Sequence, residues 1–244
     1  TGFVTTSDGN TLNSKDYEKM MGQTINKITY YTDNGIYEID ADQYVPVKFN
    51  GTIAAENADV ESGKVNVTVE GLPGDYQAEY TVEGLEDVQV KDGVLTYKTK
   101  GAEIGKYTLK VSDKSGKYAD LTTDFELTTE AVPVVFNSES AALVAAEGYA
   151  AEDVTSYVKK IESVTVDGTE YAATGKRAVK IIKEDGTIDT TAAPFKNAEN
   201  GQEFKITVKA TGYAKDCEFT YTLSQESEYT YAYVGPVSYT HLRA

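Results

Sequence analysis

From Ile25 onward, apolar and polar side chains alternate with a period of two: INKITYYT, then IYEI, then YVPVKF, separated by DNG and DADQ. Alternation over a short run marks a strand with one face turned to a core and the other to water. The corner Asp33–Gly35 predicts a hairpin, because Asn and Gly accept the positive φ that a tight turn needs. The same rhythm continues through KVNVTVEGL, QAEYTVEG, DVQVKDGVLTYKT, GKYTLKVSD and YADLTTDFELT, with Gly63, Gly71, Gly74, Gly84, Gly93 and Gly105 marking most of the corners. No helical period intervenes. Many short strands with polar turns predict an antiparallel, immunoglobulin-like β-sandwich over residues 25–130.

Two stretches depart from that rhythm. Residues 1–24 form a polar lead, TSDGNTLNS, followed by SKDYEKMMG, where Ser14 as N-cap and Gly22 as stop predict a short helix. Around Glu130, Pro133 and the alanine-rich EAVPVVFNSESAALVAAEGY break the pattern and place a domain boundary. A second domain is expected over 131–226. In AEDVTSYVKKI, the residues Val154, Tyr157, Val158 and Ile161 recur at i, i+3, i+4 and i+7, one apolar stripe on a short helix that packs on a sheet. ESVTVDGTEYAA turns at Asp167-Gly168 and KRAVKIIKEDGTID at Asp185-Gly186. In FKITVKATGYAKDCEFTYTL, Phe204, Ile206 and Val208 alternate with Lys205, Thr207 and Lys209, and Phe219, Tyr221 and Leu223 repeat the pattern on the return. The fold class is therefore all-β: two tandem antiparallel β-sandwich (Ig-like) domains, the second with a short helix.

The succession ESVTVDGTEYAA, a strand ending EDGTID, then APF, then GQEFKITVKATGYAKDCEFTYTL resembles the haem- or haemoglobin-interacting domain of Gram-positive surface proteins, over about residues 155–224. The resemblance implies an extracellular or cell-wall location and contact with a host protein such as haemoglobin. A weaker likeness links YTYAYVG, Tyr229 to Gly235, and ITYYTDNGIYEI to surface proteins carrying domains related to the treponemal penicillin-binding lipoprotein. It implies that residues 227–236 open a further domain, and no residue of a penicillin site maps onto this chain. The last residues, VSYTHLRA at 237–244, resemble the translation of a sequencing adapter and are set aside. On this reading the chain is an internal fragment of a longer protein.

Composition narrows the chemistry. A formal net charge of -16, from 39 acidic against 23 basic side chains, repels phosphate backbones and anionic head groups, so no nucleic acid is expected as partner. No apolar run reaches the ~18 residues that span a bilayer, so no membrane insertion is expected. Setting the tail aside removes His241, the only histidine, and with it any Ser-His-Asp or Cys-His pair. The single cysteine, Cys217, makes no internal disulfide and suits a small buried side chain. No catalytic residues and no metal site are expected.

Haem, without histidine, would take an axial tyrosine, and the candidates are Tyr76 and Tyr80 in YQAEY, which share a face if they share a strand. Tyr213, in the KATGY corner, is expected to be a packed corner tyrosine. Asp40, Asp42, Glu56 and Asp59 fall in loop-like stretches, but no DxDxDG calcium loop is present, and they are expected to be solvated turn carboxylates. Neither a phosphate-cradling GxxxxGK[ST] loop nor any tryptophan is present. Nineteen tyrosines in so acidic a chain suggest a surface able to bind, since tyrosine offers contact area at low entropic cost. The function expected is that of a non-catalytic binding or adhesion module meeting a host or envelope protein or glycan. The alternatives are a structural spacer or accessory domains of a larger surface protein or enzyme. A binding module should expose a contiguous aromatic patch, and a spacer should scatter its tyrosines among charges. Oligomeric state is left open.

Overall fold

The computed structural model describes residues 2–224. The expected start of a further domain at 227–236, the adapter-like tail and His241 lie outside the described residues. The chain forms two compact units, one of Thr1–Val132 with Lys209–Asp216, the other of Pro133–Val208 with the segment from Cys217. The described residues are all-β apart from two short α-helices and one 3-10 turn.

The first unit opens with β1 (Gly2–Thr6), β2 (Thr11–Asn13), the one-turn helix α1 (Tyr17–Met20), β3 (Thr24–Thr32) and β4 (Gly35–Tyr44). The strands form an antiparallel sheet in the order β2-β1-β3-β4. The polar lead is thus part of the sheet, with Val4 paired to both Leu12 and Ile28. Val4, Met20 and Val45 are buried together, with Leu12, Ile25 and Ile28 packed against them. Asp16, and not Ser14, precedes α1, and the Ser14 N–H bonds the Gly2 carbonyl at 3.0 Å beside the β1–β2 pair. The expected break at DADQ is absent: β4 runs through it, and a register shift opposite Ile25 and Lys27 absorbs the misfit so that pairing reaches Thr24 and Tyr44. YVPVKF makes no strand. Pro46 has no N–H to donate, and only Val47 bridges, to Tyr118.

The sandwich follows: β5 (Thr52–Ala55), β6 (Ala58–Asp59), β7 (Lys64–Glu70), β8 (Ala78–Val82), β9 (Gln89–Lys91), β10 (Val94–Thr96), β11 (Gly105–Asp113) and β12 (Leu121–Thr128). Its sheets run β5-β7-β10-β9 and β6-β12-β11-β8, antiparallel except for the β6–β12 pair. Val65, Val67 and Leu95 from one sheet meet Val82, Leu109, Phe125 and Leu127 from the other in one core. Their neighbours Lys64, Asn66 and Thr68 face water, which is the period-two pattern realised.

The second unit contains β13 (Val134–Asn137), β14 (Ala142–Ala145), α2 (Ala151–Lys159), β15 (Ile161–Val166), β16 (Thr169–Ala172), β17 (Glu203–Ala210) and β18 (Cys217–Thr222). Its main sheet has the order β16-β15-β17-β18. The alanine-rich stretch expected to interrupt the strands builds the β13–β14 hairpin, and α2 packs on it. Asp153 accepts the Ala150 N–H at 2.8 Å, closing the first turn of α2. The fully buried Tyr157 donates its hydroxyl to the Val208 carbonyl at 3.4 Å. Asp167 and Gly168 both take positive φ (47° and 82°), the geometry of a two-residue hairpin turn joining Val166 to Thr169. At Asp185-Gly186 the turn forms but the flanking ladder is a single bridge, Ile182 to Ile188.

Candidate binding surfaces

Two features stand out, one in each unit. The first is hairpin β3–β4. Ile28 faces Ile39 and Tyr30 faces Tyr37 across the strands, so these four share one side of the sheet. Only the Ile28 end reaches the core. Tyr30, Tyr37 and Ile39 remain 46%, 53% and 54% exposed. On the opposite side Tyr31 pairs with Ile36, both open to solvent, and Phe3 meets the Tyr31 ring edge-on at 5.6 Å. Most of the large exposed hydrophobic side chains among the described residues fall on this hairpin, Tyr30, Tyr37 and Ile39 on one side of the sheet and Tyr31 and Ile36 on the other. Glu38 and Asp40 lie on the Tyr31 side, where Lys27 reaches Glu38 at 3.2 Å.

The second feature is a cavity of about 330 Å³ in the second unit. Ile161 and Val164 of β15 and Ile181 and Ile182 of the irregular segment after β16 give it an apolar floor, and Lys159 and Lys180 stand at its lining. Lys180 lies 3.6 Å from Glu184, an exposed pair worth little in water. Of the charged side chains at the cavity lining, Lys159 and Lys180 are basic and Glu184 is acidic, so the lining carries a small positive excess in an acidic chain. Such a site can take an apolar group flanked by negative charge.

Tyr76 and Tyr80 do not share a strand. Tyr76 precedes β8, and its hydroxyl donates between the carbonyls of Val111 and Ala119, 3.1 Å from each. Its ring stacks on Tyr118 at 6.0 Å and meets Phe49 edge-on at 5.5 Å. Burial first, and then the negative charges of Asp120 and Asp113, push the Tyr76 phenol up to about 12. Tyr80 lies in β8 opposite Val111 and packs partly against the sandwich core, where burial raises its phenol as well. A haem bound here would have to displace these contacts and ionise a phenol that the fold holds neutral.

The other acidic and thiol candidates find local structural explanations. Asp40 and Asp42 sit in β4 and Asp59 in β6, not in loops, and among the described residues no group of three or more His, Cys, Asp or Glu is placed to hold a metal ion. Cys217 is buried opposite Val208, and burial with the nearby Glu218 pushes its thiol up to about 11. Tyr213 is half-buried and bridges Thr129. Asp113, which the sequence did not single out, is a hub: its carboxylate accepts the N–H groups of Gln77, Ser115 and Tyr118 at 3.1 Å each and the Ser115 hydroxyl at 2.7 Å. Burial raises its carboxyl, but the Ser115 hydroxyl and these N–H groups outweigh that and hold it at about 2. The available signal was SDKSGKY, an acid followed by serine and glycine at turn spacing.

The described residues are thus all-β, with an exposed apolar hairpin in one unit and a cavity in the other. Residues 137–223 match the family model described as heme-binding protein Shr-like, Hb-interacting domain, over the region where the motifs at 155–224 led one to expect that resemblance. None of the curated proteins compared with the chain matches it. Among solved structures, the chain is similar to domains 4–9 of the surface layer protein SbsC, with 11% identity, a TM-score of 0.23, and coverage of 82% of this chain and 39% of that one. It is also similar to a Ca2+-stabilized adhesin that helps an Antarctic bacterium reach out and bind ice, with 14% identity, a TM-score of 0.22, and coverage of 91% of this chain and 64% of that one. The chain spans less than two thirds of either structure, and overlap at these TM-scores defines no common overall geometry.

Proposed function

We propose that this chain is a non-catalytic binding module of a secreted or cell-surface bacterial protein, and that its second unit contacts a host protein, with haemoglobin the first candidate. The observation that carries this reading is the match of residues 137–223 to the Hb-interacting domain model. The cavity supports it: an apolar floor at Ile181 and Ile182 beside Lys159 and Lys180 suits a protruding apolar side chain next to an acid on a partner surface. Tyr76 and Tyr80 remain the residues through which haem itself would be bound, should haem bind.

Titration of immobilised protein with haemoglobin, read by biolayer interferometry, tests the reading, and parallel titration with haemin tests the haem arm. Saturable haemoglobin binding is expected, weakened about tenfold or more by the double exchange Lys159→Glu with Lys180→Glu, because charge at a contact sets both approach and residence. A Soret shift with haemin, lost in Tyr76→Phe or Tyr80→Phe, would move the function to the first unit. Absence of both signals would leave a structural spacer as the better account.

A further inference from the structure

Strand β4 ends its sheet, with β3 on one side and no strand on the other among the described residues. Natural edge strands are usually short, bulged, or guarded by charged side chains or proline, because an open row of N–H and C=O groups templates pairing with another chain. The guard on β4 is acidic: Glu38, Asp40 and Asp42 repel an acidic strand and attract a basic one. β4 is ten residues long, contains neither lysine nor proline, and is exposed along nearly its whole length. Its register shift lies at the far end, leaving the stretch from Gly35 to Asp40 regular.

We propose that this edge accepts one further β-strand from another protein, an extended segment in which apolar residues alternate with lysine or arginine. Main-chain hydrogen bonds would hold any strand, so the side chains choose among them. On one face an added strand would lie beside Tyr37 and Ile39, with Tyr30 behind, and apolar side chains there would cover surface now open to water. On the other face it would meet Glu38 and Asp40, whose nearest cation is Lys27 on β3. Opposite charges on adjacent strands are favourable and like charges are not. A second copy of this chain is the poorer occupant: antiparallel β4–β4 pairing sets Glu38 and Asp40 against each other, between two molecules of formal charge -16. The proposal stands on the first unit and does not depend on the second unit's haemoglobin contact.

The test uses the full chain and two dye-labelled peptides of alternating sequence, lysine with valine and glutamate with valine. Fluorescence anisotropy should show binding of the lysine peptide, weakening as salt is raised. Binding of the glutamate peptide should be at least about tenfold weaker. Exchange of Asp40→Lys should abolish the preference for lysine, and Ile39→Lys should abolish binding altogether. Both positions are exposed, so unchanged thermal unfolding will certify the fold. Hydrogen exchange should slow at alternate amides of β4 when the lysine peptide is bound. Equal affinity for the two peptides, no binding of either, or protection elsewhere in the chain would overturn the proposal. So would sedimentation showing a wild-type dimer that Ile39→Lys dissociates, because the edge would then belong to a second copy.

Discussion

Hairpin β17–β18 hides Phe204, Ile206 and Val208 at 4%, 1% and 0% exposure, while β3–β4, written in the same period-two pattern, leaves Tyr30, Tyr37 and Ile39 about half open. The difference lies in what covers each sheet. Above β17–β18 lie Tyr157 of α2, bonded to the Val208 carbonyl, Phe195 edge-on to Phe204 at 4.9 Å, and Phe136 stacked on Phe219 at 4.2 Å. Among the described residues, the core of the N-terminal sheet is closed by the single turn of α1 and Val45, which bury Val4 and reach no further than Ile28. Alternation therefore says which side chains share a face. Whether that face is a core or a contact surface depends on segments far away in sequence.

The comparison can be broken most directly by equal truncations in the two hairpins. Ile206→Ala should destabilise the protein by about 2–5 kcal/mol, since it removes a fully buried side chain and leaves a cavity. Ile39→Ala should change stability by no more than about 0.5 kcal/mol, as exposed positions do. Urea unfolding measures both, and similar losses would show that the β3–β4 face is covered in solution. A second contrast sets one tyrosine against another. Tyr76→Phe should cost about 0.5–1.5 kcal/mol because the hydroxyl bonded to Val111 and Ala119 is lost, and Tyr37→Phe should cost nothing measurable by the same assay.

The smallest expected effect concerns acid. The Asp113 carboxyl is held at about 2, below its ordinary value of 3.8, so its ionised form is favoured in the folded chain. Its contribution is present above pH 3.8 and is lost as pH falls from 3.8 toward 2. Melting temperature followed down through that window should fall less steeply for Asp113→Asn than for the wild type. Parallel curves would show that the hub is not what links the sandwich to acid.

Much of the fold was legible in local pattern. The helix α2 starts at Ala151 and buries Tyr157 from the predicted stripe, the Asp167-Gly168 turn joins β15 to β16, and the pairings Phe204 with Tyr221 and Ile206 with Phe219 follow the predicted faces. The misses share one cause, which is pairing or bonding that the local pattern does not announce. The polar lead TSDGNTLNS gave no sign of β1 and β2, whose pairing shows only in the partners of Val4, Leu12 and Ile28. DADQ looked like a corner because four polar residues suit a turn, yet β3 keeps pairing and carries β4 straight through it. Tyr76 and Tyr80 would share a face only on one strand, but the Tyr76 hydroxyl is drawn to carbonyls about forty residues onward, and β8 begins only at Ala78.

The candidate surfaces were less legible than the strands. Sequence supplied the abundance of tyrosine, but no local signal says that Ile181 and Ile182 would floor a cavity instead of pairing in a ladder. By itself the sequence determined the all-β class, the turns and the short helix, because those depend on backbone preference and side-chain period within a few residues, while the Hb-interacting motif was legible only as a resemblance to a known family. Tertiary structure alone decided which faces are covered, that β4 ends its sheet, and that Asp113 gathers its donors, because burial and edge position are set by what the remainder of the chain places alongside.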